Sequence, residues 1–279
     1  MIHWPRWRKR LAVAALHLLA FLLALWACVP FVWMLSASTM PAGEASQFPP
    51  RLFPSSPTLA HYSTLLDRLS LARYFLNSLV LAIGVSLASL LVNSMAGYAF
   101  SKLAFPGRRP LFTVLLSTMI IPGQVTMLPV FLLLKHLHLL NSYLGIILPG
   151  MASVFAVYLV KQYFDALPDS LLEAARLDGA GDWAIYWRIM LPLSRPILAT
   201  LGLFTFVGTW NDFLWPLIVM TREDMYTLPV ALATLMGEHA QDVELMMAGC
   251  VLTVLPIVIV FLLLQRHYLR GILIGGLRE

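Results

Sequence analysis

Six predominantly apolar stretches follow one another along the chain, at about 11–35, 74–99, 111–134, 142–163, 197–220 and 245–265. About 20 apolar residues in a helix cross the hydrocarbon core of a bilayer. The pattern therefore predicts an all-α polytopic membrane protein with six transmembrane helices. The polar segments between the runs are a Pro-rich loop (36–73), a basic connector SKLAFPGRRP (101–110), a short turn (135–141), a long segment (164–196) and an acidic loop (221–244). No polar segment is large enough to form a soluble domain, so residues 1–279 read as a single transmembrane domain. Trp7-Arg8-Lys9-Arg10 ahead of the first run resembles the start of a secretory signal. That run is much longer than the roughly 7–15 residues of a cleaved signal core, which predicts a retained first span.

Composition agrees with this class. Only 12% of residues are charged and 59% are hydrophobic, with a mean hydropathy of +0.80. A soluble domain carries about 25% charged residues. The basic balance, pI 9.4, would suit a nucleic-acid partner if the cations formed one patch. They follow the loops instead. Of the 19 Lys and Arg residues, 14 fall on one side of the predicted topology, among them Arg8, Lys9, Lys102, Arg108, Arg176, Arg188 and Arg270. Arg51, Arg68, Arg73, Lys135 and Arg222 fall on the other side. The positive-inside bias then places both termini and segment 164–196 in the cytoplasm, and no nucleic-acid partner is needed to explain the charge.

Candidate chemistry is sparse. Cys28 and Cys250 lie in apolar runs, where a small hydrophobe is the default role. His136 and His138 sit in a short turn without the third and fourth ligands that a zinc site needs; no metal site is expected. No Gly-Lys dipeptide occurs, which excludes a G-x-x-x-x-G-K-[ST] phosphate loop. Any ATP-driven step must use a nucleotide and Mg bound by another chain.

Several spans carry polar or helix-breaking residues. The third contains IIPGQVTMLP (120–129), the fourth ILPG (147–150) and the sixth Pro256. Backbone groups freed at membrane depth must be buried in protein or line a wet cavity. Both readings, packed proline kinks and pathway lining, stay open. The fifth span contains GTWNDFLWPL (208–217), with Asp212 toward its outer end. Asp212 and Asn211 either cap and brace the bundle or meet a solute; Asn93, Gln124 and Thr126 pose the same choice.

Segment 164–196 includes EAARLDGAGDWAIYWRIMLPLSRP (173–196) and divides into two short helices. Pro168 suits a first helical turn, and Ser170 with Glu173 offers a capping box. The first helix would run to about Leu177 and stop at Gly179 in a left-handed conformation. Asp182 would cap a second helix from Trp183 to about Leu191, ended by Pro192. Leu171, Ala174, Ala175 and Asp178 would share one face, and Trp183, Tyr186, Trp187 and Met190 an aromatic face on the second helix. Such a hairpin could rest on the membrane interface or dock into a groove of a cytoplasmic partner.

The spacing E-A-A-x3-G-x9-I-x-L-P is met by Glu173, Ala174, Ala175, Gly179, Ile189, Leu191 and Pro192. It resembles the signature of bacterial ATP-binding-cassette importer permeases, the inner-membrane components of binding-protein-dependent transport. NSMAGYAFSKLAFPGR (93–108), IIPGQVTMLPVF (120–131), LNSYLGIILP (140–149) and TWNDFLWPL (209–217) resemble the carbohydrate-uptake (MalG-like) branch of that family. The resemblance covers nearly the whole chain and is loosest before residue 70 and in 221–244.

It implies a type I importer permease fold in which the hairpin is the coupling helix, seated in a cleft of an ATPase subunit. Glu173 would contact a basic residue of that subunit. Ala174, Ala175, Leu177, Asp178 and Gly179 would form the close-packed surface, and the short tail ending at Glu279 would reach only a little way. The resemblance further implies a second homologous permease (MalF-like), an ATPase dimer carrying ATP and Mg, an extracytoplasmic solute-binding protein and a bacterial inner membrane. The cargo would be a sugar, with glycerol phosphate or another polar solute as the alternative. No cluster of Arg or Lys occurs within the spans to favour an anion. A secondary transporter would need ionisable residues at mid-membrane, and Asp212 is off-centre.

Overall fold

The computed structural model describes residues 6–49, 51–68, 70–238 and 242–275. Every regular element among them is helical. Long apolar helices form at α1 (Arg6–Ala37), α2 (Leu71–Lys102) and α12 (Val243–Gly275). Between α2 and α12 lie α3 (Arg108–Ser117), α4 (Gly123–His136), α5 (Leu144–Gly150), α6 (Val154–Asp165), α7 (Ser170–Leu177), α8 (Asp182–Ile185), α9 (Arg195–Trp210), α10 (Leu214–Val219) and α11 (Leu228–Glu238).

The chain forms two compact units. The first comprises 1–70 and 235–254, the second 71–234 and 255–279. In the first unit, α1 is exposed from Arg10 to Val32, and Ser36 and Ala37 at its end are buried. The loop after it is ordered by polar ties. Ser36 Oγ donates to the Leu52 carbonyl, His61 Nε2 to the Met40 carbonyl, and the buried Glu44 carboxylate accepts from Arg51 and the Ser55 amide. Glu244, also buried, accepts from the Ala45 amide at 2.7 Å.

In the second unit, α2 is the central post, packed chiefly on α6 and α9. Small residues let these helices close up. A Cβ on Gly97 would meet Val160 Cγ1 at 2.6 Å, and one on Gly150 would meet Val85 Cγ1 at 2.9 Å. In a bilayer such close packing substitutes for the hydrophobic drive that water would supply.

The third, fourth and fifth expected spans are broken, not straight. The third bends by 103° between Ile120 and Gly123. Pro122 forces Ile121 into an extended conformation (φ −80°, ψ 117°), because a residue before proline is disfavoured in the α region. The fourth bends by 45° between α5 and α6. There Asn93 of α2 donates Nδ2 to the Met151 carbonyl at 3.2 Å, and its Oδ1 accepts the Ser153 amide at 2.9 Å. The freed backbone groups are thus satisfied by a neighbouring helix. The fifth stops at Trp210 and resumes at Leu214. A third bend, of 77°, lies between the hairpin's second arm (Asp182–Leu193) and α9. Counting each of the three bent pairs as one span raises the number of candidate spans among the described residues from three to as many as six.

At one end of α2, Asn77 joins Tyr143 and the carbonyls of Asp224 and Tyr226. At the other end lies the hairpin. Residues 1–5 and 276–279, including Arg278 and Glu279, lie outside the described residues.

Candidate functional site

The hairpin 170–193 presents one built surface. α7 ends in a full Schellman turn. The Ala180 amide donates to the Ala175 carbonyl at 2.9 Å, the Gly179 amide donates to the Arg176 carbonyl at 3.0 Å, and Gly179 sits at φ +84°. Only glycine takes that conformation without cost. Arg176 Nη2 meets Asp182 Oδ1 at 3.1 Å and ties the two arms together. Asp182 is therefore engaged with α7 and does not cap α8 as the sequence suggests. The capping box is likewise unformed: α7 begins at Ser170 behind Asp169, with no side-chain cap.

The faces differ from the expected ones. Leu172 and Ala175 turn inward onto a cluster with Tyr98, Val160 and Phe164. Outward point Glu173, Ala174, Asp178, Gly179 and above all Leu177, which is 89% exposed. Ala175 thus belongs to the root of the hairpin. The expected aromatic face is also divided: Tyr186 and Met190 are buried, while Trp183 and Trp187 are exposed. The buried pair and the exposed pair are each four residues apart, so the edge of the bundle runs through this face, and a π-helical turn covers Tyr186–Met190.

The root is deep. Ile185 and Met190 are fully buried, each contributing roughly 1.5–3 kcal/mol, and the Tyr186 hydroxyl lies 2.7 Å from Ser94 Oγ on α2. Ile189 and Leu191 pack against the same cluster. Pro192 is exposed in the short turn Leu191–Leu193 that leads into α9.

A second feature is a cavity of about 330 Å³ on the second unit. Three of the expected pathway residues, Gln124, Thr126 and Asp212, come together there with Thr209 and Trp215. The cavity lining is drawn from both sides of two breaks: Gln124 and Thr126 follow the 103° bend of the third span, and Thr209 and Trp215 flank the interruption between α9 and α10. Asp212 Oδ1 accepts a long bond, 3.4 Å, from the Trp215 amide at the start of α10. The indole N–H of Trp215 is buried without a partner among the described residues. Lys and Arg are absent from the lining.

The other two expected pathway residues are elsewhere. Asn93 is 1% exposed and braces the α5–α6 break, and Asn211 closes the C-terminus of α9. Thr209 and Trp215 lie three residues either side of Asp212 within GTWNDFLWPL (208–217), and that stretch is the signal by which the sequence could have found them.

The chain is similar to known proteins over most of its length. Residues 89–274 match the family model for the binding-protein-dependent transport system inner membrane component. The chain is 37% identical over 259 residues to the arabinooligosaccharides transport system permease protein AraQ of Halalkalibacterium halodurans, covering 92% of this chain and 93% of that one. It is 31% identical to the diacetylchitobiose uptake system permease protein NgcG of Streptomyces coelicolor, covering 94% and 88%. It is 38% identical over 199 residues to the sn-glycerol-3-phosphate transport system permease protein UgpE of Yersinia pestis, covering 71% of each. Among solved structures, a chain of a bacterial ABC transporter involved in the import of the acidic polysaccharide alginate superposes with a TM-score of 0.82 at 25% identity, over 96% of this chain and 100% of that one.

Proposed function

Because the chain belongs to the family of binding-protein-dependent transport inner membrane components, we propose that it is the permease subunit of an ATP-driven importer whose cargo is a carbohydrate. It forms half of the translocation pathway and carries out no bond chemistry. The observation that carries this reading is the hairpin: a small-residue, acid-bearing surface held out from the bundle on a fully buried root.

A surface made of Glu173, Ala174, Leu177 and Gly179 is shaped for a protein groove. The alanine and glycine allow close approach, Leu177 fills a pocket, and Glu173 supplies a charge partner for a cation of the ATPase. ATP and Mg then reside on that separate chain, since this sequence contains no Gly-Lys for a phosphate loop. One hairpin per permease and a paired ATPase call for a second, homologous permease. The positive bias of the hairpin side puts both termini in the bacterial cytoplasm and the loops 36–73 and 221–244 outside, where a solute-binding protein delivers the cargo. Alternating access follows from rocking the broken helices about the cavity.

A carbohydrate is favoured over an anion by the cavity chemistry. Gln124, Thr126 and Thr209 match hydroxyl groups, Trp215 offers an apolar ring face, and among the described residues the only charged group in the lining is the carboxylate of Asp212. The likeness to the UgpE permease keeps glycerol phosphate as the second reading. Competition of labelled uptake by neutral oligosaccharides and by glycerol phosphate separates the two.

The coupling assignment is tested by Glu173→Arg. Losing one partner of a buried charge pair costs about 2–5 kcal/mol, so uptake should fall by at least about thirtyfold while the protein still inserts in the membrane. Normal uptake and ATPase docking would overturn the assignment.

A further inference from the structure

Lys102 ends α2, and its side chain is only 6% exposed. Its Nζ donates to the Leu167 carbonyl at 2.9 Å and to Asp169 Oδ1 at 2.5 Å. Leu167 lies on the connector from α6, and Asp169 is the residue immediately before α7. The Asp169 carbonyl in turn accepts the amides of Leu172 (2.9 Å) and Glu173 (3.0 Å), the first turn of α7. Asp169 makes no side-chain cap to that helix. Its carboxylate is turned to the lysine. One ammonium therefore holds both the incoming connector and the residue from which the hairpin starts.

Stability alone gives a weak reason for this arrangement. Asp169 is 74% exposed, and an ion pair with so much solvent stabilises a fold only weakly. The neighbouring tie is different in reach. Ser101 Oγ and Lys161 Nζ both bind Asp165, at 2.7 and 2.5 Å, which joins α2 to α6. Lys102 reaches beyond α6 to α7. Its helix then runs unbroken from this contact past Asn93, which braces the α5–α6 break, to Val85, which lines the cavity.

We propose that Lys102 is a positioning residue, a strut through which displacement of α7 is delivered to α2 and along it to the cavity wall. The proposal rests on the reading of the hairpin as the ATPase-coupling element. Without this contact, α7 would be joined to α2 only through the apolar cluster that Leu172 and Ala175 share with Tyr98, which can slide where a directed bond cannot. The Tyr186–Ser94 contact connects the second arm of the hairpin to the same helix, so the two arms grip α2 at separate heights. The side-chain bond from Lys102 and its charge also hold the Asp169 carboxyl below the usual carboxylate range, so the tie is complete at neutral pH.

The test uses the whole complex, with both permeases, the ATPases and the binding protein, in proteoliposomes, and measures ATP hydrolysed per solute imported. Lys102→Met keeps the buried aliphatic stem and removes the two bonds. It is expected to co-purify with its partners and to raise the ratio by roughly fivefold or more, the low end of ordinary coupling energies. Lys102→Arg is expected to restore a ratio near that of the native protein. A native ratio in Lys102→Met, beside loss of uptake in Glu173→Arg, would overturn the strut and keep the coupling helix. Native behaviour of Glu173→Arg as well would overturn the coupling reading itself. Should Lys102→Met fail to assemble, Asp169→Asn decides: a raised ratio supports the strut and an unchanged ratio overturns it.

Discussion

Single residues in this chain divide into those that hold the bundle and those offered to something outside it. Asn93 belongs to the first kind. It satisfies a carbonyl and an amide that a helix break would leave unpaired in an apolar surrounding. Asn93→Ala should destabilise the purified protein by about 1–3 kcal/mol, read as a lowered thermal midpoint in detergent. Asp212 stands between the kinds, lining the cavity while receiving the amide of Trp215. Asn serves as well as Asp at a helix start, so Asp212→Asn should lower uptake only modestly, about threefold, the scale of one hydrogen bond in a membrane. Loss of all solute-stimulated ATPase with intact assembly would instead make Asp212 a direct cargo contact. For Asp169 the sign of the pH effect is fixed by its lowered pKa. The stabilisation from Lys102 is fully present above the ordinary carboxylate value and is lost as pH falls through the depressed one. Coupling measured around neutrality should therefore show no pH step from this pair.

At the scale of elements, the six apolar runs and the hairpin were legible in the sequence because period, capping and punctuation are local. Gly179 is the clearest case. A glycine between a small-residue helix and an acidic residue predicts a left-handed stop, and the backbone adopts it at φ +84°. No atom lies within 4 Å of a Cβ built there, so a substitution is strained through the backbone alone. Gly179→Ala should cost about 1–2 kcal/mol of hairpin stability, visible as faster local proteolysis of segment 170–193. The breaks were half legible. Pro122-Gly123 marks the site, but the 103° angle depends on where α4 finds its packing. Ala175 was assigned outward because spacing alone does not say which face of a short amphipathic helix meets the bundle; Leu172 and the cluster around Phe164 decide it. The π-turn at Tyr186–Met190 has no local signature, and which half of the aromatic face meets the bundle is likewise set by distant packing. Lys102 was legible only as one charge of a basic connector, since its partners lie more than sixty residues away.

For the whole molecule, composition set the class, and the distribution of Lys and Arg set an orientation that protein chemistry can examine directly. Both bear on one proposal: the hairpin is the site where a cytoplasmic ATPase grips the permease. Leu177, 89% exposed at its tip, is the residue best placed to report it. The measurement is site-directed cross-linking of Leu177→Cys, with Cys28 and Cys250 replaced by Ala, in the assembled complex within membrane vesicles. A short thiol cross-linker should join this chain to the ATPase subunit, and the yield should change when ATP is bound. A Leu177→Cys thiol that labels only from the outer face, or that never cross-links to the ATPase in a complex active in uptake, would contradict the account.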